Sequence, residues 1–464
     1  MTSAERVNEP PPGPIRDYHF PEVNSRTLDN CVRSVVCTAG DLPLVTAHVI
    51  VNAGAATESA NQAGLALLTA NSLEGGTTNR SGTQLAWDLE ELGLELTTWT
   101  TWDATHVRVT TITDRIEGAL ALLADIVRNP AFPEGEVERI RDEQLAEIIQ
   151  RGTEPRALAD DMASRSIFAE GSPYRRSTYG EPDVLRCLTA VDATAFHHAR
   201  MSPDATSVLL VGDVEASRGH DLVMRAFGDW GGKAAPVPQV EVRPGVHETS
   251  IRLIDRPGSV QSEVRIGHIG VPRTHPDHIT LLVLNAILGG SFTSRLNLSL
   301  REKHGFTYGA RSAFAARRHA GPFMISTAVG TDVTSRAVEE AFNEVHALLR
   351  DGPTDDEIAN ARNFLAGVFP LQLQSTEEIA ERISDIVVYD LPIDYFQHYR
   401  ADLLRVDSTS VRQAASLHIR PEEMAVVIVG DAAALRPTLE QLGIGKVTVD
   451  NLAPAPALAP ADAE

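Results

Sequence analysis

The sequence predicts an α+β fold of two homologous domains, each an antiparallel sheet packed with helices. Three observations lead there. The chain has 464 residues, 43% of them hydrophobic and 22% charged. That is too long for one ordinary core and fits two domains of about 100–250 residues. Its halves echo each other: Ser207-Val-Leu-Leu-Val-Gly-Asp-Val214 closes the first, and Ala425-Val-Val-Ile-Val-Gly-Asp-Ala432 closes the second. Within each half, strand-like runs come first and amphipathic helices dominate the rest, as in a sheet covered by helices.

The elements follow in order. Residues 1–17, with the prolines from Pro10 to Pro14, and the Pro/Ala tail 451–464 have the composition of disordered segments. Between them, residues 18–230 form the first domain, 231–246 a linker rich in Gly, Ala and Pro, and 247–450 the second domain. Val45 to Val51 (VTAHVIV) and Thr105 to Ile112 (THVRVTTI) show the β-branched alternation of strands. Ala119 to Arg128 precedes Asn-Pro and then the acidic helix Glu134 to Gln150. Val338 to Arg350 precedes Asp-Gly-Pro and then the helix Thr354 to Phe369. Apolar residues in these segments recur at three- and four-residue spacing, which gives a helix one face to bury. A repeat of about 220 residues means two homologous domains and not a short-period solenoid.

Composition narrows the function. Lys plus Arg number 41 and Asp plus Glu 63, a net charge of −22. That argues against nucleic acid or an anionic membrane as partner. The three cysteines, Cys31, Cys37 and Cys187, are scattered without a C-x-x-C pair. They make neither a disulfide framework nor a cysteine zinc site and suit a reducing compartment. No apolar run reaches the roughly 18 residues of a membrane span, and the first twenty residues lack a signal-like apolar core. The expectation is a cytoplasmic protein, or a periplasmic one if a signal has been removed. No Gly-x-Ser-x-Gly elbow supports a serine hydrolase.

The candidate chemistry begins at Asn52-Ala-Gly-Ala-Ala-Thr-Glu58 and Ala63-Gly-Leu-Ala-Leu-Leu-Thr-Ala-Asn-Ser-Leu-Glu-Gly-Gly-Thr77. This stretch resembles the start of the pitrilysin/insulinase zinc metallopeptidases, the family that includes the mitochondrial processing peptidase. There, His-x-x-Glu-His on a helix gives two zinc ligands and the general base, and a distal Glu completes the metal site. Such a site needs three protein ligands, an open coordination position and a carboxylate near the bound water. On that pattern the first His position is Leu67, the base position Ala70 and the second His position Asn71. Leu67 and Ala70 have no donor atom at all. The distal position is Glu147, a lone carboxylate that reads as a solvated or salt-bridged helix residue. The following landmark, an edge strand lining the site, reads Gly93-Leu-Glu-Leu-Thr-Thr-Trp-Thr100, with Thr97 where the family has Asn. No metal is expected in this chain.

The second half keeps its landmark. Leu288-Gly-Gly-Ser-Phe-Thr-Ser-Arg-Leu296 and Leu300-Arg-Glu-Lys-His-Gly-Phe-Thr-Tyr308 resemble the family's C-terminal signature. The resemblance assigns Arg301 and Tyr308 as groups that reach substrate bound near a zinc ion. A guanidinium offers fixed donors to a peptide carbonyl, and a phenol can stabilise an oxyanion. Gly289, Gly290, Ser291 and Ser294 are the matching substrate-binding positions. The Gly289-Gly290 pair lacks P-loop spacing and reads as a tight turn between helices. The bland alternative makes Arg301 an ion-pair partner of Glu302 and Tyr308 a strand residue.

Several other residues have bland readings. His275 and His278 in His-Pro-Asp-His have metal-like spacing, but Pro276 and Asp277 read better as a helix start. His197 and His198 read as surface residues on two faces of a helix. Trp87, Trp99 and Trp102 read as packing aromatics, the last two as cleft residues if their strand faces a site. The resemblance, from about Tyr18 to about Gly445, implies a clamshell of two α+β domains. It also implies a non-catalytic, substrate-gripping subunit in a heterodimer. The homologous partner would bear His-x-x-Glu-His and the zinc, and unfolded or short peptides would be the substrate. A structural or peptide-binding protein of the same fold is the alternative.

Overall fold

The computed structural model describes residues 13, 16–237 and 239–451. The two terminal segments read as disordered fall almost entirely outside the described residues. The first half contains strands β1 (Val23–Thr27), β2 (Arg33–Thr38), β3 (Leu44–Val51), β4 (Thr97–Thr100), β5 (Thr105–Ile112) and β6 (Thr206–Gly212). The second contains β7 (Ser250–Asp255), β8 (Gln261–Ile269), β9 (Ala310–Phe314), β10 (Pro322–Gly330), β11 (Ala425–Gly430) and β12 (Lys446–Asn451). They form two six-stranded sheets, ordered β1-β2-β6-β3-β5-β4 and β12-β7-β11-β8-β10-β9.

The sheets are mixed, which corrects the antiparallel expectation. β2 runs parallel to β6, and β7 runs parallel to both β11 and β12, while the remaining pairs are antiparallel. Five strands of one sheet correspond to five of the other. The sixth is supplied differently: β1 comes from the start of the chain and lies antiparallel to β2, whereas β12 comes from the end and lies parallel to β7.

In the first half the helices are α1 (Leu65–Asn71), α2 (Gly82–Leu92), α3 (Ile116–Arg128), α4 (Glu134–Thr153), α5 (Pro155–Ile167), α6 (Pro182–Leu185), α7 (Ala190–Arg200) and α8 (Ala216–Phe227). In the second they are α9 (His278–Asn285), α10 (Thr334–Asp351), α11 (Asp355–Val368), α12 (Thr376–Val388), α13 (Tyr395–Arg405), α14 (Ser408–His418) and α15 (Ala432–Gln441). Their starts are written in the sequence. Thr354 caps α11 and Ser375 caps α12, each in a reciprocal pair with the glutamate three residues on, Glu357 and Glu378. Pro155 opens α5 where no N–H is needed.

Each sheet is covered on one face by helices of its own half and on the other by a helix lent by its neighbour. On the first sheet, Val36, Val45, Val49 and Val208 pack against α1, α3 and α8. Its opposite face, Val35, Ile50, Leu209 and Val211, packs against Ile379, Ile383, Ile386 and Val387 of α12. Reciprocally, Ala159, Met162, Ala163 and Ile167 of α5 cover Ile254, Val427 and Val429 of the second sheet. Burial on both faces explains why β6 and β11 read as unbroken apolar runs.

A polar joint adds to this exchange. The Tyr174 hydroxyl donates to Asp103 Oδ1 (2.9 Å), and the Arg318 N–H donates to Asp103 Oδ2 (2.9 Å). Arg317, almost wholly buried, lies 3.5 Å over the Trp102 ring and 4.6 Å over that of Tyr174. Burial lowers Arg317 to about 10. The described residues between 231 and 246 run between the halves largely without regular structure, tied by Gly245 N–H to Ile167 O (2.8 Å).

Some single-residue expectations fail. His197 is buried, its Nε2–H donating to Val127 O (2.7 Å), and burial lowers it to about 4. Only His198 is on the surface. Trp87 is 69% exposed and packs no core, because the face of α2 that carries it points outward.

Candidate functional site: two cavities in the two halves

The segment that the sequence resemblance aligns with His-x-x-Glu-His lies on α1. The helix starts where Gly64 adopts φ +99° and where Glu58, buried, accepts from the backbone N–H of Gly64 (3.1 Å) and Ala66 (2.7 Å). Those are N–H groups at a helix start that lack intrahelical acceptors. Leu67 and Asn71, four residues apart, share the one face of α1 that is not fully buried. They line a cavity of about 390 Å³ together with Glu147 of α4 and Thr98 of the edge strand β4. Three of the four sequence-assigned positions therefore meet. Ala70 does not: it is fully buried beneath the helix.

The residues in this cavity do not fit zinc. Leu67 offers hydrocarbon. The Asn71 Oδ1 atom accepts from the Thr98 hydroxyl at 3.3 Å. Glu147 is half-buried in the wall, and no ion pair to it is found among the described residues, against the salt-bridged reading. Arg139 instead pairs with Glu136 (2.6 Å) and Glu143 (2.5 Å). Gln144 spans α4 to the α1 start, its amide donating to Gly64 O (3.1 Å) and Tyr179 O (2.7 Å).

Among the described residues, one place brings three ligand atoms of His, Cys, Asp or Glu within 4.8 Å, and it lies in the second half. It comprises His275, Asp277 and His418, with His418 Nε2 at 2.8 Å from Asp277 Oδ2. His278, the partner suggested by spacing, turns inward as the first residue of α9, and burial lowers it to about 3. Pro276 precedes that helix and is not in its first turn.

The second-half signature builds a cavity of about 580 Å³. Gly289, Gly290, Ser291, Arg301 and Tyr308 all line it. Gly289 is the last residue but one of a wide helical turn, Ala286–Gly290, that runs on from α9. A Cβ there would come within 2.5 Å of Ser312 N and 2.6 Å of its Oγ, so only glycine lets the turn lie against β9. Arg301 sits on the wide turn Asn297–Lys303 with its guanidinium carbon 4.2 Å over the Phe292 ring. Its Nε is 3.6 Å from Glu302 Oε1, an exposed and weak pairing. Tyr308 precedes β9 instead of lying on a strand, and at 96% exposure its phenol is free to meet a ligand.

Ser294 departs from the expected set. It is buried behind the wall, where its hydroxyl oxygen accepts from Asn297 Nδ2 (3.1 Å). Asn297 is the residue the sequence reading missed. Its amide also donates to Ser291 O (3.1 Å) and Ala310 O (2.7 Å) and accepts from Ala310 N–H (3.0 Å), stitching the glycine turn to β9. Its place directly after Ser-Arg-Leu296 was the available signal. Trp102 lines a further cavity between the halves, whereas Trp99 stacks on His106 at 4.6 Å.

The model described as insulinase (peptidase family M16) matches residues 36–180, and that described as peptidase M16 inactive domain matches 188–365. The chain belongs to the M16 peptidase family. An uncharacterized zinc protease of Mycobacterium leprae is 24% identical over 420 residues, covering 87% of this chain and 93% of the relative. A Helicobacter pylori protein named as a non-peptidase homolog, YmxG, is 22% identical over 400 residues, covering 84% and 90%. Among solved structures, a peptidase M16 inactive domain from Pseudomonas fluorescens aligns with TM-score 0.82 and 25% identity, covering 88% of this chain and 98% of that one. The M16 chain described here thus matches proteins named as proteases and one named as a non-peptidase. No described helix is long and apolar enough to cross a membrane.

Proposed function

We propose that this M16 chain is the substrate-gripping, non-catalytic member of a two-chain zinc peptidase. Its second half offers Arg301 and Tyr308 to a composite site whose zinc and His-x-x-Glu-His belong to a homologous partner. The observation that carries the reading is the contrast between the two cavities. The α1 cavity has hydrocarbon and a spent carboxamide where ligands belong, while the second-half cavity keeps an arginine and a free phenol on a wall fixed by Gly289 and Asn297. In such a site Arg301 would orient a peptide carbonyl, and Tyr308 would donate to the oxygen that gains charge.

A fluorogenic unstructured peptide tests this with the chain alone, the partner alone and the mixture, each also with Arg301→Ala. The expected result is an inert chain and an active, chelator-sensitive mixture that Arg301→Ala slows by roughly 10²-fold or more. A mixture no faster than the partner alone would sink the reading. A second reading, a binding or scaffolding protein without proteolysis, is favoured by the likeness to the non-peptidase homolog. Peptide binding without any partner-dependent cleavage would select it.

A further inference from the structure

The charge of the second-half cavity is opposite to that of the chain. The chain carries 63 acidic against 41 basic residues, yet four arginines and one carboxylate line this cavity: Arg156, Arg265, Arg301 and Arg311 against Glu263. Arg265 is neutralised where it stands, buried and held by Asp160 (2.5 Å) and Glu263 (2.8 Å). Arg156 and Arg311 are exposed, with no ion pair among the described residues, and Arg301 has only the 3.6 Å contact to Glu302. Three guanidinium groups are therefore left to face a ligand. They are interleaved with the exposed rings of Phe292, Phe364 and Tyr308.

From this we infer that the cavity selects acidic peptide segments, in which Asp or Glu side chains alternate with apolar ones. Carboxylates take paired N–H donors from the arginines, and the rings cover the apolar neighbours. A positive cleft on a strongly negative body draws an acidic segment to this place and repels it elsewhere. Arg156 comes from α5, the helix lent to the second sheet, so the first half contributes to the selectivity. The inference rests on the proposed function only in taking peptide as the ligand.

The experiment is fluorescence anisotropy on the full chain without a partner. The probes are three labelled unstructured peptides of one apolar pattern: a Glu form, its Gln analogue and its Lys analogue. The Glu form is expected to bind at least about tenfold tighter than the Gln form, since several exposed ion pairs act together. The Lys form is expected to bind more weakly still. Raising salt from about 0.05 to 0.5 M should erase the preference. Replacing Arg156, Arg301 and Arg311 together by Ala should abolish it, while Arg436→Ala on the remote α15 leaves it unchanged.

Equal affinity for the Glu and Gln forms, absence of binding, or a preference insensitive to salt would each overturn the inference. So would a preference that persists in a triple variant with the wild-type melting curve. The peptide series leaves the protein untouched, so it decides the matter even if the triple variant does not fold. A failed cleavage assay with intact acidic preference would remove the composite site alone, and the converse result would remove only the preference.

Discussion

Glu58→Gln probes what holds α1 in place. The Glu58 side chain is 6% exposed and accepts two N–H groups at the start of α1. Burial pushes its carboxyl up to about 7, while those two bonds and the Arg176 guanidinium pull it down. In the unfolded chain the same group ionises near 4.5. The folded state therefore keeps a proton that the unfolded state has released, and stability falls as pH rises across that window. At about 1.36 kcal/mol per pH unit the gap amounts to about 3 kcal/mol, present in full below about pH 4.5 and lost by about pH 7. Glutamine cannot ionise and carries no such slope. Guanidinium denaturation of both proteins in steps between about pH 5 and 8 measures the difference. Glu58→Gln should gain on the wild type by up to about 3 kcal/mol as pH rises. Parallel curves would refute the reasoning: they would mean that the two N–H donors and the helix start keep the carboxylate ionised throughout and outweigh burial.

Two structural tests accompany it. Gly289→Ala forces a Cβ within 2.5 Å of backbone at Ser312. It should cost roughly 1–3 kcal/mol in denaturation and weaken peptide binding at the 580 Å³ cavity, because the turn must move off β9. Ile383→Ala removes a fully buried side chain of α12 from the first sheet. It should cost roughly 2–5 kcal/mol. Because α5 and α12 tie each half to the other, calorimetry should still show one shifted transition, and two separate transitions would contradict the interlock.

What the sequence made legible was whatever depends on short spacing. Leu67 and Asn71 share a helix face because they lie four residues apart, and the β6 and β11 runs are apolar because both faces are buried. Arg301 and Tyr308 reach one cavity because both flank a single turn. What stayed hidden depends on distant pairing. A run such as Val426 to Val429 reads the same beside a parallel or an antiparallel neighbour, so the mixed sheets were not visible. The amphipathic faces of α5 and α12 look like those of any surface helix, and nothing local says that each covers the other half's sheet. Arg265 and Arg317 read as surface charges until Asp160, Glu263 and the Trp102 ring are seen around them. Ser294 belongs to the signature by position but faces inward because Asn297 claims it.

The duplication gives the α1 cavity a counterpart in the second half. In the second half, Asn285 ends α9, and its Oδ1 accepts from the hydroxyl of Ser312 on the outer strand β9 (2.7 Å). In the first half, Asn71 ends α1, and its Oδ1 accepts from the hydroxyl of Thr98 on the outer strand β4 (3.3 Å). Both members of the pair are displaced by the same 214 residues, 71 to 285 and 98 to 312, and Gly75-Gly76 moves by that interval onto Gly289-Gly290. So the position that would carry the second zinc histidine holds the residue type, and makes the bond, of the half whose helix ties to its edge strand by a side-chain amide. A carboxamide-to-hydroxyl bond of about 0.5–1.5 kcal/mol ties the helix to its edge strand without a charged, desolvated centre. The α1 cavity thus repeats the arrangement of its own duplicate, an amide-to-hydroxyl tie between a helix end and the outer strand, where the family's pattern places a metal-ligand set.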